Sequence, residues 1–239
     1  MRVTIHQPEH MPWLGFFHKI NMADVYVVLD NVQFRKRYFQ NRNKIRTANG
    51  VNWLTVPVKV KDEFSQKIKD TLIDDSNRRW NKKYWDSVFF SYKKAPFFRK
   101  YSDKISSILS REWTHIVELN MSLIAAFLEI LELKPEIIKA SDIKGLDDKK
   151  SSLILKICQR LDAKIYISGI SGREYLDTQE FKESGIRIIF QEFHHPIYHQ
   201  LYKPFIPCMS VIDLLFNYGD KSLSVINGVD VAVMKKVFI

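Results

Sequence analysis

Four stretches of this chain concentrate side chains that can do chemistry. The first is His6-Gln7-Pro8-Glu9-His10-Met11-Pro12-Trp13-Leu14-Gly15. An unperturbed imidazole titrates near pH ~6.5, which suits it to general acid–base work. Polar His and Gln are poor packing choices directly after an apolar run. Pro8 and Pro12 stiffen the loop, and Gly15 permits close approach of a backbone or ligand. A helix beginning here would favour an anionic group at its N-terminus. The bland alternative is a Pro-rich turn with Trp13 packed in the core.

The second stretch runs from Asp30 through Gln33, Arg35, Lys36 and Arg37 to Gln40-Asn41-Arg42-Asn43-Lys44. Asp30 could hold a metal, a ribose hydroxyl or an amine. Arg grips phosphate as a fork and Lys as a point charge. Asn41 and Asn43 could hydrogen-bond a sugar or a base edge. The alternative is an exposed basic turn. The third is Ser168-Gly169-Ile170-Ser171-Gly172-Arg173-Glu174-Tyr175. Its small residues could turn backbone amides toward an anion. Its glycine spacing matches neither a Walker nor a Rossmann fingerprint. The fourth is Gln191-Glu192-Phe193-His194-His195-Pro196-Ile197-Tyr198-His199. Three His invite a zinc hypothesis, but their spacing is no recognised site and no Cys lies near. No metal ligands are assigned, and a general acid or base is the preferred role.

These groups need elements to hold them. RVTIH at 2–6 reads as a strand, Leu14–Met22 as a helix and VYVVLD at 25–30 as a buried strand. That is a β–loop–α–β opening. Lys44–Thr47 and Val51–Lys61 flank Asn49-Gly50, a hairpin signal. Ile68–Leu72 reads as a further strand. Helices are expected over Ser76–Phe90, capped by Ser76, and over Phe97–Leu109, separated by Pro96. Thr114–Leu131 is another helix, opened by Thr114. Strands at Pro135–Ala140, Ala163–Ser168 and Ile186–Gln191 alternate with helices at Lys149–Leu161, Tyr175–Ser184 and Met209–Tyr218. Asp147 is the expected cap of the first of these, and Gly219 closes the last. The fold class is α/β: a mostly parallel doubly wound sheet in one domain over 1–239, with a basic hairpin-and-helix insertion or lid over 35–110.

Composition is that of a globular protein, with 46% hydrophobic and 27% charged residues, which excludes disordered and low-complexity classes. The net charge of +10 is localised: residues 35–104 hold 19 Lys/Arg against 7 Asp/Glu, so the remainder is slightly acidic. Basic and aromatic residues interleave in that segment, as in polyanion-binding surfaces, although a solvated basic face over an aromatic core reads the same way. Two cysteines make no disulfide scaffold, and no apolar run reaches the ~20 residues of a membrane span. A cytoplasmic protein without membrane insertion is expected.

IHQPEHMPWLGFFHKI, ADVYVVLDNVQFRKRYFQNRNKIR and WLTVPV resemble the opening of the WbqC-like protein family. Tyr92-Lys93-Lys94-Ala95-Pro96-Phe97-Phe98, Ser168-Gly169 with Tyr175-Leu176-Asp177, Phe193-His194-His195-Pro196-Ile197-Tyr198 and PFIPCMSVIDLLFNYG continue the similarity to about Gly219. Glu9-His10 stands where Asn-Tyr or similar is expected. The opening is also similar in layout to nucleotidyltransferase-type folds, whose His motif between first strand and first helix contacts phosphates; the Gly-rich flanks of that motif are absent.

The family resemblance implies a bacterial enzyme of polysaccharide (O-antigen type) biosynthesis that N-acylates, with glycine as one acyl group, a nucleotide-linked amino sugar. On that reading His6 and Gln7 sit at the reacting centre, Asp30 orients or deprotonates the amine, and His195 is a second acid–base group. Lys36, Arg42 and Asn43 grip phosphate or sugar. Ser168, Gly169 and Tyr175 line the opposite wall, with Trp13, Gln33, Asn41, Arg173 and His194 completing the substrate contacts. The partner is a nucleotide-linked sugar or other phosphorylated small molecule. The activated acyl donor stays open among an acyl-adenylate made from ATP, an acyl carrier protein thioester and an aminoacyl-tRNA. The alternative is an RNA- or tRNA-binding module without catalysis, using a positive groove lined by Trp80, Trp85 and Arg78.

Overall fold

The computed structural model describes residues 1–60, 65–76 and 79–228. In chain order the elements are β1 (Arg2–His6), α1 (Leu14–Asn21), β2 (Val25–Val28), β3 (Arg42–Thr47), β4 (Gly50–Thr55), β5 (Val58–Lys59), β6 (Leu72–Ile73), α2 (Trp80–Tyr92), α3 (Phe98–Leu109) and α4 (Ile116–Ile130). They continue with β7 (Glu136–Lys139), α5 (Lys150–Arg160), β8 (Ile165–Ser168), α6 (Thr178–Glu183), β9 (Arg187–Phe190), α7 (Val211–Tyr218) and α8 (Ser222–Ile226).

Five strands form one parallel sheet in the order β7-β2-β1-β8-β9. The chain first steps outward from β1 to β2 to β7, then returns across the sheet to β8 and β9. Helices follow the same reversal. Alternation along each strand splits the sheet into two apolar faces. Tyr26 and Val28 face α1, α4, α7 and α8, whereas Val3, Ile5, Val25 and Val27 face α5 and α6. Right-handed crossovers in opposite directions require helices on opposite faces, so this is a doubly wound sheet. Its switch point lies between β1 and β8.

Everything between β2 and β7 is one long excursion. Ile45, Leu54, Val56, Ile73, Tyr84, Val88 and Tyr92 within it belong to the same core cluster as α1 and α4. Most of its basic residues lie outside that shared core, but Arg46 is buried. Among the described residues, no helix is long and apolar enough to cross a membrane.

Several local expectations need correction. The β3–β4 turn pairs Thr47 with Gly50, so its centre is Ala48-Asn49, not Asn49-Gly50. Only Gly50 takes positive φ, at 110°, where a side chain would be strained. Pro57 lacks a donor, and β4 ends at Thr55, before it. Ile68–Asp70 is a 3-10 turn, leaving only Leu72–Ile73 extended. Helix α2 starts at Trp80 rather than at a Ser76 cap; residues 77–78, including Arg78, lie outside the described residues. Helix α4 begins after His115 rather than at Thr114, because Glu118 reaches back to accept the His115 N–H at 3.1 Å. The residue capping α5 is Lys149, not Asp147.

Candidate active site

Parallel α/β sheets bind ligands outside the carboxyl ends of their strands, at the switch point. Here that position is a cleft of about 450 Å³ above the ends of β1 and β8. His6 closes β1 and opens onto it. Helix α1 contributes Gly15, Phe16 and Lys19, with Trp13 at its N-terminus. Gly15 and Lys19 are four residues apart, one turn, so they share the cleft-facing side of the helix. The opposite wall is Gly169-Ile170-Ser171 after β8, and the roof is Gln191 to His194 after β9.

A charged cluster sits at the base. His6 Nε2 lies 3.1 Å from Glu9 Oε1, and Glu9 is itself buried. A carboxylate accepts, so Nε2 carries the proton and the Nδ1 lone pair is left over. Among the described residues, neither Nδ1 nor Glu9 Oε2 has a hydrogen-bond partner. The buried Lys19 ammonium, among the described residues, hydrogen-bonds only to the Ile5 carbonyl, at 3.4 Å. Burial pushes the Lys19 pKa down to about 8, against the pull of Glu9. Burial, and then the Lys19 charge, lower the His6 pKa, while Glu9 works the other way. His6 is therefore neutral at pH 7 and able to accept a proton. Lys19 still carries most of its charge there, with few groups to satisfy it.

The loop between β1 and α1 is held by His10, which points away from the cleft. Its Nδ1 is 2.8 Å from Asn120 Oδ1 and its Nε2 2.7 Å from Tyr84 Oη. Asn120 Nδ2 donates to the Pro8 and Gln40 carbonyls, both at 2.8 Å, so Oδ1 must accept from His10 Nδ1–H. Tyr84 then donates to Nε2. Burial lowers the His10 pKa to about 4. The paired-His phosphate arrangement of nucleotidyltransferases is therefore not made here: one His faces the cleft and the other anchors the loop.

Of the predicted site residues, His6, Trp13, Gly169 and His194 line the cleft, and Ser168 is buried just before Gly169, with its carbonyl accepting from Gln191 N–H at 2.8 Å. Others are engaged elsewhere. Gln7 accepts from Gln40 at 2.7 Å. Asp30 accepts from the Ser141 N–H and hydroxyl at 2.9 and 2.7 Å, tying β2 to the end of β7. Asn41 donates to the Val56 carbonyl, and Asn43 to those of His10 and Met11. Arg173 lies over the Phe190 ring, and Gln33 bridges to Lys67. Tyr175 is exposed, as is Lys36, while Arg42 lies over Trp53. His195 is bonded through both nitrogens, Nδ1 to the Pro196 carbonyl at 2.9 Å and Nε2 from the Cys208 N–H at 3.1 Å. Its ring stacks behind Trp13 at 6.4 Å and supports that wall. Among the described residues no three His, Cys, Asp or Glu side chains gather at a metal-sized site.

Comparison with known proteins identifies a family. The model of the WbqC-like protein family matches residues 7–225. The chain belongs to the WbqC-like protein family. The curated "Uncharacterized protein Rv1507c" of Mycobacterium tuberculosis is 36% identical over 220 residues, 91% of this chain and 94% of that protein. No solved structure matches the chain. In this WbqC-like protein, then, the family match runs from Gln7 through both cleft walls.

Glu9 lies in the first stretch without an assigned role and Lys19 in none of the four, yet both act on His6. A Lys within LGFFHKI, one turn after Gly15 on an otherwise apolar helix, was the available signal. Gly15 carries a prediction of its own. A Cβ added there would overlap the six-membered ring of Trp13. Gly15→Ala should displace Trp13 from the cleft wall at a cost of roughly 1–3 kcal/mol. A lowered melting temperature together with a shifted tryptophan emission would register it; an unchanged pair would show that the ring yields freely.

Proposed function

We propose that this protein is an amide-forming transferase that N-acylates a nucleotide-linked amino sugar in the assembly of a bacterial O-antigen-type polysaccharide. The observation that carries this reading is the His6–Glu9–Lys19 cluster at the switch-point cleft. Amide formation needs a proton acceptor for the attacking amine and a positive group for the developing oxyanion. Glu9 holds His6 Nε2–H, leaving Nδ1 to take the amine proton as the N–C bond forms; the donor's adenylate, thiolate or tRNA hydroxyl then leaves the same carbon, and Nδ1 returns the proton to it or to water. The Lys19 ammonium, poorly solvated, stabilises negative charge on the carbonyl oxygen or on a substrate phosphate. Trp13 and Phe193, packed edge-to-face at 5.4 Å, offer an apolar wall for a base or sugar ring. Family membership supports the polysaccharide setting. Asp30 and His195, committed to other partners, are not part of this mechanism.

The test is a thermal-shift screen with sugar nucleotides, followed by turnover with the one that binds. A ligand at 100-fold its dissociation constant adds about 2.7 kcal/mol. His6→Asn should then lower kcat by about 100-fold or more while leaving the shift in place. Full turnover in His6→Asn, or no shift with any sugar nucleotide, would remove the basis of the assignment.

A further inference from the structure

The outer face of the β3–β4 hairpin carries a row of rings and cations that the cleft does not use. Pairing places Lys44 opposite Trp53 and Arg42 opposite Thr55, so these four side chains share one face. The Arg42 guanidinium lies 4.2 Å from the Trp53 ring and the Lys44 ammonium 5.8 Å from it. The row continues through Phe39, 6.0 Å from Trp53, to Tyr38, 5.3 Å further, where Arg35 lies 5.9 Å from the ring. Trp53 is 41% exposed and Tyr38 44%. Residues 31–60 contain seven Lys or Arg and no Asp or Glu. Among the described residues, no carboxylate pairs with Arg35, Arg37, Arg42 or Lys44.

We infer that this face binds single-stranded nucleic acid. A run of rings flanked at both ends by cations without carboxylate partners suits a strand that offers bases to stack and phosphates to neutralise. An exposed ring can take a base only from a strand whose bases are splayed out, which excludes a duplex. An acidic protein would use the cations but leave Tyr38 and Trp53 without partners. The groove expected along α2 does not form in this way: Trp85 stacks on Phe98, Trp80 packs on Tyr84, and both lie against the core. The face nevertheless adjoins the cleft. The Lys44 carbonyl accepts from Ser210 N–H at 2.8 Å, and Ser210 bridges to Trp13.

The experiment is fluorescence anisotropy with labelled twelve-nucleotide RNA and DNA strands of the same sequence. Four phosphate contacts predict a log–log salt slope of roughly −3, or about 50-fold weaker binding on going from about 50 to about 200 mM salt. Trp53→Ala should weaken binding about tenfold, and so should Lys44→Ala; both side chains are on the surface, so both variants should fold. Binding by either strand supports the inference, and the tighter one names the source. Three results overturn it: no binding at low salt, unchanged affinity in Trp53→Ala, or tighter binding of polyglutamate than of either strand. Lys19→Met must leave this affinity intact while abolishing the sugar-nucleotide shift, so the two sites fail separately.

Discussion

Lys19→Met is expected to make the protein more stable and inactive. The Lys19 pKa falls from 10.5 to about 8 on folding. Each unit is worth ~1.4 kcal/mol, so the buried ammonium opposes folding by about 3 kcal/mol. The sign follows from proton uptake. Between pH 8 and 10.5 the unfolded chain holds this proton and the folded one does not, so wild-type stability rises with pH there; below 8 the penalty is at its full value. Methionine fills a similar volume without charge and should recover most of it at pH 7. In a chain of this length that is roughly 2–4 °C of melting temperature per kcal/mol. Denaturant titrations at pH 7 and at the alkaline end of the window check both parts, since the two proteins should converge as pH rises. A variant weaker than wild type at pH 7 would mean that Lys19 holds the fold together. Loss of ligand binding alongside a gain in stability is the signature of a functional group kept at the fold's expense.

The second large effect is acid lability through His10. Its ring is neutral in the fold, with a pKa of about 4 against an ordinary value of 6.5. Above pH 6.5 neither state is protonated and nothing is lost. As pH falls toward 4 the unfolded chain binds the proton first, and stability should drop by about 3 kcal/mol. Burial also lowers the pKa of His6 and of His18, which adds to the loss in the same window. Protonation of His10 would force a donor against the Tyr84 hydroxyl, which must then turn and accept. His10→Gln should flatten the profile between pH 7 and 4.5 while leaving the cleft residues in place. If its profile matches that of wild type, the lability belongs to other groups.

The parallel sheet was legible because its strands are short apolar runs separated by helical spacing, and β1, β2, β7, β8 and β9 all fall within the runs read as strands. What periodicity does not report is strand order. The return of β8 to the far side of β1 is a tertiary fact, and it decides which loops meet. His6 and Gly169 could therefore be picked as candidates without evidence that they adjoin. Asp30, Asn41 and Asn43 could not be placed from sequence, because a buried polar side chain has the same composition whether it holds a ligand or a neighbouring backbone. Each here satisfies a carbonyl or a serine that would otherwise be buried without a partner. Lys19 was missed for the converse reason, because a single cation on an apolar helix is usually read as surface.

The placement of β1 in the middle of the sheet also bears on how the protein is made. Strand β1 leaves a ribosome well before β8, and β2 can cover one edge of β1 almost at once. Its other edge waits for β8, with Arg2 pairing to Ile165 across some 160 residues. At about 5–20 residues per second, that is on the order of ten seconds or more of synthesis. During this interval half of the central strand's hydrogen bonds face outward, and the cleft has no second wall. The His6–Glu9–Lys19 cluster is encoded within β1, α1 and the loop between them, yet the second wall of its cleft is made only some 160 residues later.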